Sequence, residues 1–386
     1  MLKIGVIGFG NRIGCLVNND LLELAPDAEI VAVTEEKEEY IESAKREMHH
    51  PRLNTDSVRF YGSAANMLDK EELDGCMVGT RCSGHARYAA EVLSRDIPLF
   101  LEKPVATTIE DLRLLSDRER KTSAQTVVSF PLRFSALIKK VREIVDSGVL
   151  GEIEHVQAYN NVPYGGVYYH NWYRDENETG GLFLQKMTHD IDYINYILKK
   201  NPVELCAMES KRIFKGNKPA GLKCENCSEY RTCPEGPFQT RIIRGESPGG
   251  DFCCFAEDTG NHDSASVLFR YDTGMHVSYS QNFFVRKNAQ LRGARFMGYD
   301  GTVQFDWYTG KIQVFSHKSS INAEYTVESK GLHFGGDAAL IYNFIEVMRG
   351  ENQSLSPLRD GINSANVCLL AKKSAQERCF MTVGGE

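Results

Sequence analysis

Lys186, His189, Asp190 and Tyr193 are the side chains of this sequence whose types and spacing most readily suggest chemistry. They lie in one stretch, Gly180 to Leu198, GGLFLQKMTHDIDYINYIL. Separations of three and four residues stack them on one edge of a helix. Met187, Ile191, Ile194 and Leu198 form an adjoining apolar stripe that would anchor that helix in a core. A cation, an imidazole, a carboxylate and a phenol side by side can move protons and hold hydroxyl groups. The same edge could also be a plain surface on which Lys186 and Asp190 form an i,i+4 ion pair. The elements around the stretch have to decide between the two.

At the other end of the chain, Leu2 to Ile7 is a short apolar run that feeds the loop Gly8-Phe9-Gly10-Asn11-Arg12-Ile13-Gly14 and then a helical pattern. A strand, a glycine loop and a helix in that order form a dinucleotide cradle. Gly8 permits the turn and Gly10 lets the backbone approach a pyrophosphate, which the helix N-terminus attracts. Ile13 stands where a third glycine is usual. After the second strand comes Glu35, the acid expected to bind ribose hydroxyls, and its charge favours NAD over NADP. Arg12 leaves NADP open, since an arginine near the loop can accept the extra phosphate. Strands alternate with helices up to Thr126–Ser129, which gives a parallel sheet of the doubly wound α/β class. Ligands bind off the carboxyl ends of such strands, where Thr80, Arg81, Glu102 and Lys103 fall.

With Glu102-Lys103-Pro104 closing the fifth strand after a glycine loop, the chain resembles the Gfo/Idh/MocA oxidoreductases, a family that includes glucose–fructose oxidoreductase and inositol dehydrogenases. His85, Arg133, the Gly180-Gly181 pair with His189-Asp190-Ile191-Asp192, and Phe334-Gly335-Gly336-Asp337 match further family motifs in the same order. The resemblance covers most of the chain. It implies an N-terminal Rossmann NAD-binding domain (1–125) and a C-terminal α+β domain (126–386) built on a large, mostly antiparallel open sheet. The last helices would pack back on the first domain. It also implies that His85 and Arg133 belong to the cofactor site and that Lys103 and His189 face the substrate. Where the family usually has an Asp four residues before the histidine, this chain has Gln185, with Lys186 beside it as in one branch. Lys103 or His189 would then be the base, Lys186 would orient the substrate hydroxyl, and Asp190 would orient its neighbours. The open sheet implies a homo-oligomer, dimer or tetramer, with a second subunit packed on its free face.

Between Asn161 and Thr179, Tyr168, His170, Trp172 and Arg174 are candidates to line a sugar or cyclitol pocket, together with Gln185 and Tyr193. An insert at 215–251 carries Cys224-x2-Cys227-x5-Cys233, a spacing that suits a structural zinc, with Cys253, Cys254 or His262 as the fourth ligand. A net charge of −7 argues against nucleic acid as a partner. No apolar run is long enough to cross a membrane, and Met1 leads straight into a strand. With eleven cysteines, most of them scattered through apparent core segments, reduced thiols in the cytoplasm are expected. The activity so implied is hydride transfer between NAD and a hydroxyl-bearing carbon of a sugar, cyclitol or glycoside. A glycosidase working by transient oxidation and a non-catalytic NAD-sensing regulator are the alternatives.

Overall fold

The computed structural model describes residues 1–328 and 332–384. The chain divides into two compact units. One comprises Met1–Lys139, Ile191–Tyr196 and Ser329–Asn366, and the other Lys140–Asp190, Ile197–Glu328 and Val367–Glu386.

The first unit is organised by six parallel strands: β1 (Leu2–Ile7), β2 (Ala28–Thr34), β3 (Arg59–Tyr61), β4 (Gly75–Val78), β5 (Leu99–Leu101) and β6 (Thr126–Val128). Their order is β3-β2-β1-β4-β5-β6, with the reversal beside β1 that creates a crevice at the strand ends. Both faces of a parallel sheet are covered, so its strands are apolar throughout. Ile4, Val6, Met77, Phe100 and Val127 are all fully buried. The late helix Gly336–Met348 belongs to this unit and contributes Leu340, Ile341 and Phe344 to its core. The ring of Phe344 meets Phe100 edge-on at 5.7 Å. Side chains start several helices: the Thr108 hydroxyl accepts the Asp111 N–H at 3.1 Å, satisfying a donor the helix cannot satisfy itself.

The second unit is built on nine strands: β7 (Ile153–Asn161), β8 (Glu204–Ser210), β9 (Ser264–Arg270), β10 (His276–Asn282), β11 (Leu291–Gly298), β12 (Gly301–Asp306), β13 (Lys311–Ser316), β14 (Asn322–Thr326) and β15 (Met381–Thr382). Their order is β14-β13-β12-β11-β7-β10-β9-β8-β15, antiparallel except where β7 pairs with β10. Alternate residues face inward; in β10 these are Val277, Tyr279 and Gln281. The stretch from Asn161 to Thr179 contains the helical turns Val167–His170, Trp172–Arg174 and Glu176–Thr179.

Candidate active site

In the first unit, Gly8 has φ +83°, and a Cβ there would lie 2.7 Å from the Thr80 backbone nitrogen, so only glycine fits this turn. Beyond Gly10 there is open space where a side chain would stand, and the helix Asn11–Leu16 follows at once. These features suit a pyrophosphate approaching backbone amides. Ile13, at the position of the usual third glycine, is accommodated by the neighbouring strand instead. Its side chain fills the place of a Cβ on Gly79, only 2.2 Å away. At the end of β2, the Glu35 carboxylate accepts the Phe9 N–H at 2.6 Å. Burial pushes its pKa up to about 7 against the pull of that N–H, with Glu36 adding repulsion. Tyr88 donates to Glu36 beside it.

Arg12, expected in the cofactor site, pairs with two carboxylates. Its Nε donates to Glu102 Oε1 at 3.0 Å, and its terminal nitrogens fork onto Asp337 at 2.9 and 2.6 Å. Ser129 Oγ lies 3.4 Å from Nη2 and donates to Glu102 Oε1 at 2.8 Å. The other Glu102 oxygen accepts the Lys103 N–H at 3.2 Å. Burial disfavours an ionised Asp337, but hydrogen bonds from His333 and Arg12 and the guanidinium charge outweigh it and hold this carboxyl at about 2. Arg12 thus bridges the carboxylates of Glu102 and Asp337.

His85 and Arg133 are also engaged by protein groups. The His85 ring has Nδ1 2.8 Å from the Pro104 carbonyl and Nε2 3.1 Å from the Thr80 carbonyl. Burial lowers its pKa, against the pull of the two carbonyls and of Glu102. It links the segment after β4 to the one after β5. Buried Arg133 donates through Nε to Asp192 at 3.0 Å, and through Nη1 to Leu355 O at 2.8 Å and Asp360 at 2.7 Å. Such a guanidinium anchors chain segments. Thr80, Arg81 and Lys103 follow β4 and β5, at the crevice side of the sheet.

In the second unit, the stretch from Gly180 opens as a π-turn, Phe183–Met187, before the helix Thr188–Leu198 begins. The wider turn breaks the 3.6 period on which a Lys186–Asp190 pair depends. Asp190 is fully buried and turned to Arg292, with Oδ1 2.8 Å from Nε and 2.7 Å from Nη2. Its Oδ2 accepts from Asn160 at 2.8 Å and Tyr279 at 2.9 Å. A polar column continues from there. Tyr279 Oη lies 3.2 Å from Gln281 Oε1, Gln281 Nε2 lies 3.0 Å from His262 Nε2, and His262 Nδ1 meets Glu209 at 2.9 Å. Lys186 sits over the Tyr168 ring, 5.4 Å from its centroid. His189 and Tyr193 are buried on the following helix. Gln185 donates to the Thr179 carbonyl at 3.1 Å, closing the Gly180-Gly181 turn.

Two expected pocket residues make contacts to the segment after the insert. His170 Nδ1 is 2.7 Å from the Phe252 carbonyl. Arg174 pairs with Asp258 and donates to Thr259 Oγ1 at 2.8 Å. Trp172 stacks on Tyr173 with ring centroids 3.9 Å apart. The expected zinc clip is not found: among the described residues no three His, Cys, Asp or Glu side chains are grouped to hold a metal ion. Cys224, Cys227 and Cys233 are free thiols. Burial, then the neighbouring thiols of Cys253, Cys233 and Cys227, pushes Cys224 up to about 12. Side chains close the insert instead, with Arg286 donating from Nη2 to both Glu235 oxygens at 2.7 Å and stacking on Tyr164.

Sequence reasoning missed Ser129 and Asp337 around Arg12, and Asn160, Tyr279 and Arg292 around Asp190. One signal was available: polar Tyr279 and Gln281 alternate with Val277 on the inward face of β10.

Residues 2–130 match the family model described as oxidoreductase family, NAD-binding Rossmann fold, and residues 138–304 match the GFO/IDH/MocA C-terminal domain. YteT, a presumed oxidoreductase of Bacillus subtilis (strain 168), is 24% identical over 316 residues, 71% of this chain and 72% of that protein. The inositol 2-dehydrogenase/D-chiro-inositol 3-dehydrogenase of Lacticaseibacillus casei is 29% identical over 199 residues, 51% of this chain and 53% of that protein. The match therefore spans only about half of this relative's length. The scyllo-inositol dehydrogenase of Lactobacillus casei, solved with NAD(H) and scyllo-inositol, shares the fold with a TM-score of 0.70 at 16% identity, covering 99% of each chain. A glycine loop shaped for a dinucleotide, followed by a matching second domain, makes this chain a member of the Gfo/Idh/MocA oxidoreductase family, with that family's NAD-binding Rossmann domain.

Proposed function

We propose that the protein is an NAD-dependent dehydrogenase that moves a hydride between nicotinamide and a hydroxyl-bearing carbon of a sugar, cyclitol or glycoside. The reading rests chiefly on one observation. A cradle for a dinucleotide and a lysine at the end of β5, its backbone fixed by Glu102, occur in the same unit. The inositol dehydrogenases among the relatives support the substrate class.

Gly8, Phe9, Gly10, Asn11 and Ile13 would hold the pyrophosphate, and Glu35 the adenosine ribose hydroxyls. A carboxylate there, with Arg12 engaged elsewhere, favours NAD over NADP. Bound NAD supplies the hydride acceptor. Lys103 or His189 takes the proton of the substrate hydroxyl, and Lys186 orients that hydroxyl. Asp190, with both oxygens occupied, orients its helix and leaves the proton chemistry to others.

The outer face of the second unit's sheet exposes Met208 and Leu268 on neighbouring strands, which suits a second copy of the chain. No described helix is long and apolar enough to cross a membrane. Eleven free thiols support a reducing compartment, the cytoplasm.

The test is a panel of inositols, sugars and glycosides incubated with protein and NAD, followed at the NADH absorbance band. NADH accumulating with one polyol class supports the reading. Free sugar released from a glycoside without NADH would identify the transient-oxidation glycosidase. NAD binding without turnover across the panel would leave the regulator.

A further inference from the structure

Three motifs far apart in the sequence meet on one guanidinium. Arg12 comes from the glycine loop, Glu102 from the end of β5, and Asp337 from the start of the helix Gly336–Met348. Both carboxylate side chains are 8% exposed, while Arg12 keeps 27%. Arginine serves both because its planar fork presents donors in two directions at once. Ser129 adds a hydroxyl that bridges Arg12 and Glu102.

We propose that Arg12 is a positioning residue for Lys103, acting through Glu102, and is not a ligand of cofactor phosphate. The inference rests on the reading of Lys103 as a group that faces substrate. Glu102 Oε1 accepts from Arg12 and Ser129, and Oε2 accepts the backbone N–H of Lys103 itself. A carboxylate held at one oxygen fixes what it accepts at the other. Arg12 thus sets the backbone from which the lysine projects. Asp337 matters because its fork locks the guanidinium plane, and His333, 3.0 Å from Asp337 Oδ2, steadies that carboxylate in turn. Removing Arg12 would leave two largely buried carboxylates without their shared cation and release Glu102.

The experiment compares Arg12→Lys and Asp337→Asn with the wild type and with Lys103→Met. The Kd for NAD and NADP is read by calorimetry, and kcat and KM on whichever polyol the panel identifies. Arg12→Lys keeps the charge and loses the fork. Its kcat should fall about 10- to 100-fold while the Kd for NAD stays within about threefold, because a misplacement of the reacting group costs rate before it costs binding. Asp337→Asn, which keeps the volume and tests the case where Arg12→Lys fails to fold, should show a smaller fall of the same kind. A rise of tenfold or more in either cofactor's Kd with kcat at saturation unchanged would overturn the proposal and make Arg12 a phosphate ligand. Unchanged kinetics in both variants would overturn it too. Turnover surviving in Lys103→Met would defeat the reading of Lys103 itself, whatever Arg12 does.

Discussion

The two units each bury an ionic cluster, and the clusters are built in opposite ways. Around Arg12 one cation serves two carboxylates, and all of them stand at the ends of elements: a glycine loop, a strand terminus and a helix start. Around Asp190 one carboxylate draws on a guanidinium, an amide and a phenol. Tyr279 comes from the middle of β10, Asn160 from the next-to-last position of β7, and Arg292 from the second position of β11. The first cluster retains contact with water through Arg12, whereas Asp190 has none. A cluster at element ends can shift as its loops shift, and loops that bind ligands do so. One set among the strands of a sheet is held by the whole ladder.

That contrast can be broken from either side, and the second unit should break harder. Asp190→Ala strands the buried charge of Arg292, and losing one partner of a buried pair costs about 3–5 kcal/mol. Asp337→Ala leaves Arg12 with Glu102 and with water, for a loss of about 1.5–3 kcal/mol, that of a hydrogen bond to a charged group. Urea titrations of both variants measure the difference. Equal losses would mean that burial does not separate the two clusters.

Glu35 offers a test in pH. Its pKa of about 7 lies above the usual carboxylate range, and ribose hydroxyls donate best to the ionised form. NAD affinity should therefore be full above pH 7 and fall as pH drops through 7, by up to about tenfold per unit below it. Calorimetric Kd values between pH 8 and 6 show the slope, and Glu35→Gln should abolish it while narrowing the preference for NAD over NADP. The smallest effect is expected at Tyr279→Phe. It removes one neutral donor from Asp190 and leaves Arg292 and Asn160, for about 1–2 kcal/mol on the same urea scale.

The comparison also explains what could be read in advance. Glycine loops, strand ends and the Glu102-Lys103-Pro104 turn are punctuated by residues with few other uses, so the Rossmann half and its cradle were legible. The partners of Arg12 were not, because its pairing with Asp337 spans 325 residues and no local pattern records such a distance. The parallel pairing of β7 with β10 was hidden for the same reason. Arg292 and Gly293 belong to β11, where Gly293 sits tight against the Phe305 carbonyl, a contact between strands that no local pattern records. The cysteine spacing of the insert suggested a metal clip, but among the described residues no three metal-ligating side chains are grouped, and aromatic and ionic contacts around Tyr164 and Arg286 hold the insert.

The most direct measurement takes Lys103→Met, titrates it with NAD, and follows NADH formation with the best polyol of the panel. The account expects NAD to bind within about threefold of wild type while turnover falls by about 10²- to 10⁴-fold, the range associated with loss of a proton-transfer group. NAD reduction at the wild-type rate would contradict it.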